Sequence, residues 1–155
     1  DNVALGLKAA GVKRIIQISN MGTTRNRDRV RPADDAHWSE RMAYAKIQGE
    51  NHLMESGMDW TILRPGLLRD EPSTGNSWLT ERTDIAGSIN RSDVALVILD
   101  LLADDKTIGR AYSVIDKNMV SARASTYFRL DRRSATLSAS STEVRRWRRS
   151  ETIYS

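Results

Sequence analysis

The chain of 155 residues contains no cysteine. That excludes disulfides, zinc–thiolate centres and a cysteine nucleophile. Aromatic residues make up only 6% of the chain, so Trp38, Trp60 and Trp78 read as packing residues rather than a platform for stacked bases. There are two histidines, His37 and His52. Neither has a partner at metal-ligand spacing, so no metal is expected. No apolar run approaches the roughly 20 residues of a membrane span. No secretory signal is visible. The cytoplasm is therefore the expected location, with no membrane partner.

Charge is unevenly spread. Residues 1–117 hold 16 Lys and Arg against 17 Asp and Glu, and residues 118–155 hold 8 against 3, so nets of −1 and +5 sum to +4. The basic character comes from the tail. Mean hydropathy is −0.51, polar for a globular enzyme. Two regions follow: residues 1–116 as one α/β unit and residues 117–155 as a basic, low-complexity tail. After Asp116, Ser, Ala, Thr and Arg dominate without amphipathic period, which reads as a disordered extension. The cluster Arg145-Arg146-Trp147-Arg148-Arg149 could contact nucleic acid. The bland reading, a solvated charged tail, is preferred, and nucleic acid is not the expected partner. The chain starts at Asp1 directly in a helix-like pattern, which suggests a fragment.

What is present is an alternation of helix and strand. Val3, Leu5 and Leu7 read as the end of a helix stopped by Gly11. Ile15, Ile16 and Ile18 make a strand apolar nearly throughout, the mark of a buried parallel strand. A long, charged loop over residues 23–36 follows, with Pro32 inside. Trp38, Met42, Ala45, Gly49 and Leu53 fall on one helical face, small at Ala45 and Gly49, and Gly57 ends the helix. Asp59–Arg64 is a buried strand that stops at Pro65, which has no N–H for a ladder. Gly66 lets the backbone pass something bulky. Leu67–Arg82 reads as irregular and Asp84–Ile89 as a short strand. Asn90 or Ser92 caps a helix carrying Val94, Val97, Ile98 and Leu101, and Ala111–Ile115 is the last strand. Strand–helix–strand with buried strands implies a parallel sheet, whose ligands bind at the strands' carboxyl ends.

Four segments, in order, resemble the atypical short-chain dehydrogenase/reductases, and among them the NAD(P)H-binding, NmrA-like members. They are Ala10-Gly11-Val12-Lys13-Arg14-Ile15-Ile16-Gln17-Ile18-Ser19, Ala45-Lys46 with Gly49-Glu50, Ser56-Gly57-Met58-Asp59-Trp60-Thr61-Ile62-Leu63-Arg64-Pro65-Gly66, and Ile89-Asn90-Arg91-Ser92-Asp93-Val94-Ala95. The resemblance covers roughly residues 2–116. It implies the C-terminal half of a Rossmann-type, doubly wound parallel sheet and a bound NAD(P). It further implies that Lys46 orients the nicotinamide ribose and that Ser19 polarises a small-molecule substrate or meets the nicotinamide. Pro65, Gly66 and Leu67 would shape the nicotinamide pocket.

Each assignment has a plainer rival. Lys46 could be a solvated lysine pairing with Glu50 one turn on. Ser19 could simply start a turn, Pro65-Gly66 could simply end a strand, and Arg64 reads first as a structural ion-pair partner. Two departures from the family pattern stand out. The Gly-rich phosphate loop, G-x-x-G-x-x-G, does not occur. The Y-x-x-x-K pair lacks its tyrosine, because Met42 stands four residues before Lys46. Tyr44 lies about 200° around the helix from Lys46. Three functions remain open: an NAD(P)-dependent oxidoreductase or epimerase-like enzyme, a non-catalytic NAD(P)-binding sensor or scaffold, and nucleic-acid binding through the tail. The Ile15–Ile18 strand is expected to leave an apolar edge that a missing N-terminal half or another chain must cover.

Overall fold

A computed structural model describes residues 2–21, 23 and 38–121. The basic tail beyond residue 121 and most of the charged 23–36 loop lie outside the described residues. The elements in order are α1 (Asn2–Ala9), β1 (Arg14–Ile18), α2 (Trp38–Glu55), β2 (Asp59–Pro65), β3 (Leu67–Arg69), β4 (Ser77–Thr80), β5 (Ser88–Asn90), α3 (Arg91–Ala103), a 3-10 turn (Asp105–Thr107) and β6 (Arg110–Asp116). Gly11 and Gly57 follow α1 and α2 at φ of 72° and 71°, the left-handed geometry that ends a helix without a Cβ clash.

The main sheet has the order β1-β2-β6-β4. β1, β2 and β6 are mutually parallel, and β4 closes the far side antiparallel to β6. β3 and β5 form a separate parallel pair. This is a Rossmann-type arrangement with a parallel-dominated sheet. β1 forms its edge, and its residues are half-buried, with Ile18 46% exposed. The apolar run of β1 therefore marks a strand with one described neighbour, not the fully buried strand its composition suggests.

α3 covers one face. Val94, Val97 and Leu101 from α3 pack with Leu63, Leu79, Ile89 and Val114 from four strands. Strand alternation sends Ile62 and Ile115, both fully buried, to the opposite face. α2 packs there beside β2, burying Ile47, Glu50 and Leu53. The face expected from spacing is met in part: Leu53 is buried on it, while Ile47 and Glu50 were not among its residues. Met42 is 47% exposed and Ala45 is exposed too. Gly49 does meet the sheet: a Cβ there would lie 3.2 Å from Gln17 Nε2.

Three further expectations are revised. β2 does not stop before Pro65; Pro65 pairs in register with Val114. The chain continues through Gly66 into β3. The Leu67–Arg82 stretch holds two short strands, β3 and β4. The short strand expected at Asp84–Ile89 is β5, Ser88–Asn90.

The amino ends of the parallel strands are laced together. Arg14 donates to Asp59 O, to Leu101 O and to Thr107 Oγ1 at 2.8–2.9 Å. Thr61 Oγ1 donates to Thr107 O at 2.6 Å. Among the described residues, no helix is long and apolar enough to cross a membrane.

Candidate functional site

Because β1, β2 and β6 run the same way, their carboxyl ends gather Ser19, Pro65-Gly66 and Asp116 on one rim. Ser19 follows β1 directly. Its N–H donates to Leu63 O at 2.7 Å, and the residue is buried. The chain then turns, with Thr23 N–H donating to Asn20 O at 3.3 Å and Thr23 Oγ1 2.9 Å from the same carbonyl.

Behind this turn lies a buried ion pair. Arg64, the last residue of β2 before Pro65, donates through Nε to Glu50 Oε1 at 3.0 Å and through Nη2 to Glu50 Oε2 at 2.6 Å. Arg64 is 4% exposed and Glu50 1%. The planar guanidinium matches the carboxylate with two bonds. Glu50 Oε1 also accepts from Thr23 Oγ1 at 2.8 Å. Burial pushes the Glu50 carboxyl up, but the hydrogen bonds from Arg64 and the hydroxyls of Ser19 and Thr23, with the Arg64 charge, outweigh it. The net result lies below the usual carboxylate range. The Ser19 hydroxyl lies close enough to help lower Glu50, and its Oγ is buried without a regular hydrogen bond.

Glu50 thus belongs to Arg64 and not, as the plainer sequence reading had it, to Lys46. Lys46 is half-buried on α2, one turn ahead of Glu50 on the same side. α2 runs back from the carboxyl rim, so that turn sets Lys46 about 6 Å nearer the rim than Glu50. Met42 lies one turn further on, exposed. Its thioether has no proton to donate. Tyr44 is half-buried on α2, off the line that joins Met42, Lys46 and Glu50.

Pro65 is buried within β2. Gly66 has a definite neighbour. A Cβ on it would lie 2.3 Å from Gly87 O and 3.0 Å from Ile115 Cγ2. The bulky object it passes is the backbone that leads into β5. Leu67 is 72% exposed beside it.

A second buried carboxylate stands nearby. Asp93, in the first turn of α3, accepts from Ser73 Oγ, from the N–H groups of Thr74 and Gly75 at 3.0 Å, and from Asn90 Nδ2 at 3.4 Å. Burial raises its pKa, yet these donors hold it below the ordinary value. Thr74 Oγ1 bridges to Asp116 at the end of β6. Asn90 stands at the N-cap position, but its side chain makes no capping bond. It donates instead to Pro72 O at 2.9 Å. The 72–76 loop is thereby fixed to the same rim. Thr23, Glu50 and the Asp93 anchor escaped the sequence reading. The resemblance segment Gly49-Glu50 and the four-residue spacing from Lys46 both pointed at Glu50, but the spacing names the wrong partner.

A family model described as NAD(P)H-binding matches residues 1–105. An uncharacterized sugar epimerase of Bacillus subtilis, YhfK, is 32% identical over 131 residues, covering 80% of this chain and 56% of its own. A solved candidate NAD-dependent epimerase/dehydratase from Bacillus halodurans superposes with a TM-score of 0.63 at 30% identity, over 83% of this chain and 56% of that one. ChuY, an anaerobillin reductase from Escherichia coli, superposes with a TM-score of 0.60 at 26% identity, over 74% and 55%. The chain spans about half the length of these relatives. With its parallel sheet and the family match over residues 1–105, the chain belongs to the NAD(P)H-binding family of atypical short-chain dehydrogenase/reductases.

Proposed function

We propose that this chain forms the nicotinamide-side half of an NAD(P)-binding Rossmann site, and that the complete domain is an NAD(P)-dependent oxidoreductase or epimerase-like enzyme. The observation that carries this reading is the rim itself. Ser19, Thr23, Glu50 and Arg64 form a buried polar floor there, and Lys46 stands one helical turn away. The residues suit a hydroxylated, carboxamide-bearing ligand. Ser19 Oγ is buried without a regular hydrogen bond, so a ligand group could use it. Lys46 makes no hydrogen bond or ion pair to another described residue, so its three donors are available to ribose hydroxyls.

NAD(P)H, when bound, supplies a hydride to a carbonyl or similar carbon. Lys46 would hold the ribose and Ser19 would donate to the developing oxyanion of a small-molecule substrate. Pro65 and Leu67 would bound the pocket. Gly66 contributes by bringing β3 against the Gly87 backbone. The phosphate-binding half of the site would come from a Gly-rich segment or another chain alongside β1.

Met42 favours a second reading, a dinucleotide-binding sensor without turnover, since Lys46 has no tyrosine at the usual spacing. The test is a titration with NADPH and NADH, read by intrinsic tryptophan fluorescence. It uses the 155-residue chain and the same chain extended at its amino end by a Gly-rich strand–helix segment. Binding by the extended chain alone is expected. Low-micromolar binding by the 155-residue chain would contradict the half-site reading. No binding by either would remove the dinucleotide reading. Turnover with a carbonyl substrate would separate enzyme from sensor.

A further inference from the structure

We infer that the buried Glu50–Arg64 pair is a positioning device: through Thr23 it fixes the turn that leaves β1, and along α2 it sets the Lys46 amine over that turn. This rests on reading the rim as a dinucleotide site, but its core claim concerns the turn and can fail separately.

The pair is a costly way to hold a fold together. Two buried charges lose their water, and their attraction often does no more than recover that loss. A well-packed apolar pair of similar size is commonly as stable or more so. What an apolar pair cannot do is orient. Here the guanidinium fork fixes the carboxylate plane with two bonds. The carboxylate then takes the Thr23 hydroxyl at 2.8 Å. Three segments that are remote in sequence become one unit: the end of β2, the middle of α2 and the turn after β1. Ser19, four residues before Thr23, lies in the same turn, and Lys46 lies one turn from Glu50. Both groups assigned to the ligand are thus mounted on the same carboxylate.

Hydrogen exchange followed by mass spectrometry on the 155-residue chain is the first measurement, with the thermal midpoint alongside. In the apolar double variant Glu50→Leu/Arg64→Met, the amides of residues 19–23 should exchange about tenfold faster, while β6 and α3 keep their protection. The thermal midpoint should stay near the parent's. Thr23→Val, which leaves the ion pair intact, should speed the same amides and serves if the double variant does not fold. Unchanged exchange at 19–23 in Thr23→Val would overturn the proposal. So would a uniform loss of protection in a folded double variant, the mark of a merely structural pair. A second arm measures NADPH affinity in the extended chain. Thr23→Val should weaken it about tenfold, and Lys46→Met should weaken it without altering exchange at 19–23. Were the parent not to bind NADPH, the dinucleotide reading would fall in this arm. The exchange arm would still decide the positioning claim.

Discussion

Replacing Gly66 by alanine adds one methyl group at the glycine where an added Cβ would meet its neighbours most closely among those described. That methyl would sit 2.3 Å from Gly87 O, 2.9 Å from Gly87 C and 3.0 Å from Ile115 Cγ2. The first two are backbone atoms, so no rotamer change relieves them. Nor can Gly87 move off freely. Its carbonyl already accepts from Leu67 N–H at 2.9 Å, and a Cβ on Gly87 itself would lie 2.6 Å from Met119 O. Gly66 N–H donates to Val114 O at 2.9 Å, so shifting Gly66 breaks the β2–β6 ladder. Overpacking in a tight interior costs about 1–3 kcal/mol, and with backbone on both sides the upper end, about 3 kcal/mol, is expected. That corresponds to a fall of roughly 10 °C in the thermal midpoint for a chain of this size. Urea unfolding, read at the tryptophans, measures it as a shift in midpoint at constant slope. A change under about 0.5 kcal/mol, the range of an ordinary surface substitution, would refute the reasoning. A variant as stable as the parent but unable to bind NADPH in the extended chain would return Gly66 to the pocket wall.

Gly57→Ala is the natural contrast. Gly57 sits at φ 71° with nothing within 4 Å of the added Cβ, so only the left-handed strain remains, about 1 kcal/mol by the same unfolding measurement. Leu101→Ala empties a fully buried position among Leu63, Val97 and Val114 and should cost about 3 kcal/mol, seen as an earlier thermal transition. For pH, Glu50 and Asp93 both titrate below their ordinary values of 4.5 and 3.8 when folded. The unfolded chain therefore binds more protons through that range. Their contribution is whole above about pH 5 and is lost as pH falls through the two folded values. Glu50→Gln should flatten the acid limb of a stability–pH curve; an unaltered limb would argue against this linkage.

The alternation of strand and helix was legible because β2, β6 and α3 obey local rules. Apolar β-branched runs, bounded by Gly57 and Gly109, survive in the fold with little change. The family resemblance rested on those same segments. The α2 face was misread because helical spacing cannot say which side meets a sheet. Gly49 and Leu53 kept their place, but Ile47 and Glu50 stand where Met42 and Ala45 were expected, and a glutamate is the last residue a hydropathy pattern would bury. Glu50 is there because Arg64, 14 residues away, neutralises it. Such long-range pairing leaves no periodic trace. β3, β4 and β5 were blurred for a related reason: strands of three or four residues are held by remote partners, β3 and β5 where Gly66 and Gly87 cross closely and β4 along β6, not by their own composition. Ser19 and Lys46 were picked out by the resemblance. The link that joins their segments, through Thr23, is visible only in three dimensions.

The lacing at the amino ends of the strands has a directional consequence. Arg14, Thr61 and Thr107 join β1, β2 and the end of α3 through a guanidinium, hydroxyls and carbonyls. None of those bonds involves a carboxylate. The opposite rim depends on the Glu50 and Asp93 carboxylates, which lose their charge only below their ordinary values. Acidification should therefore peel this molecule from one side. The carboxyl rim would loosen first, and the carboxylate-free lacing at the amino ends would keep the strands in order, ready to close again on return to neutrality.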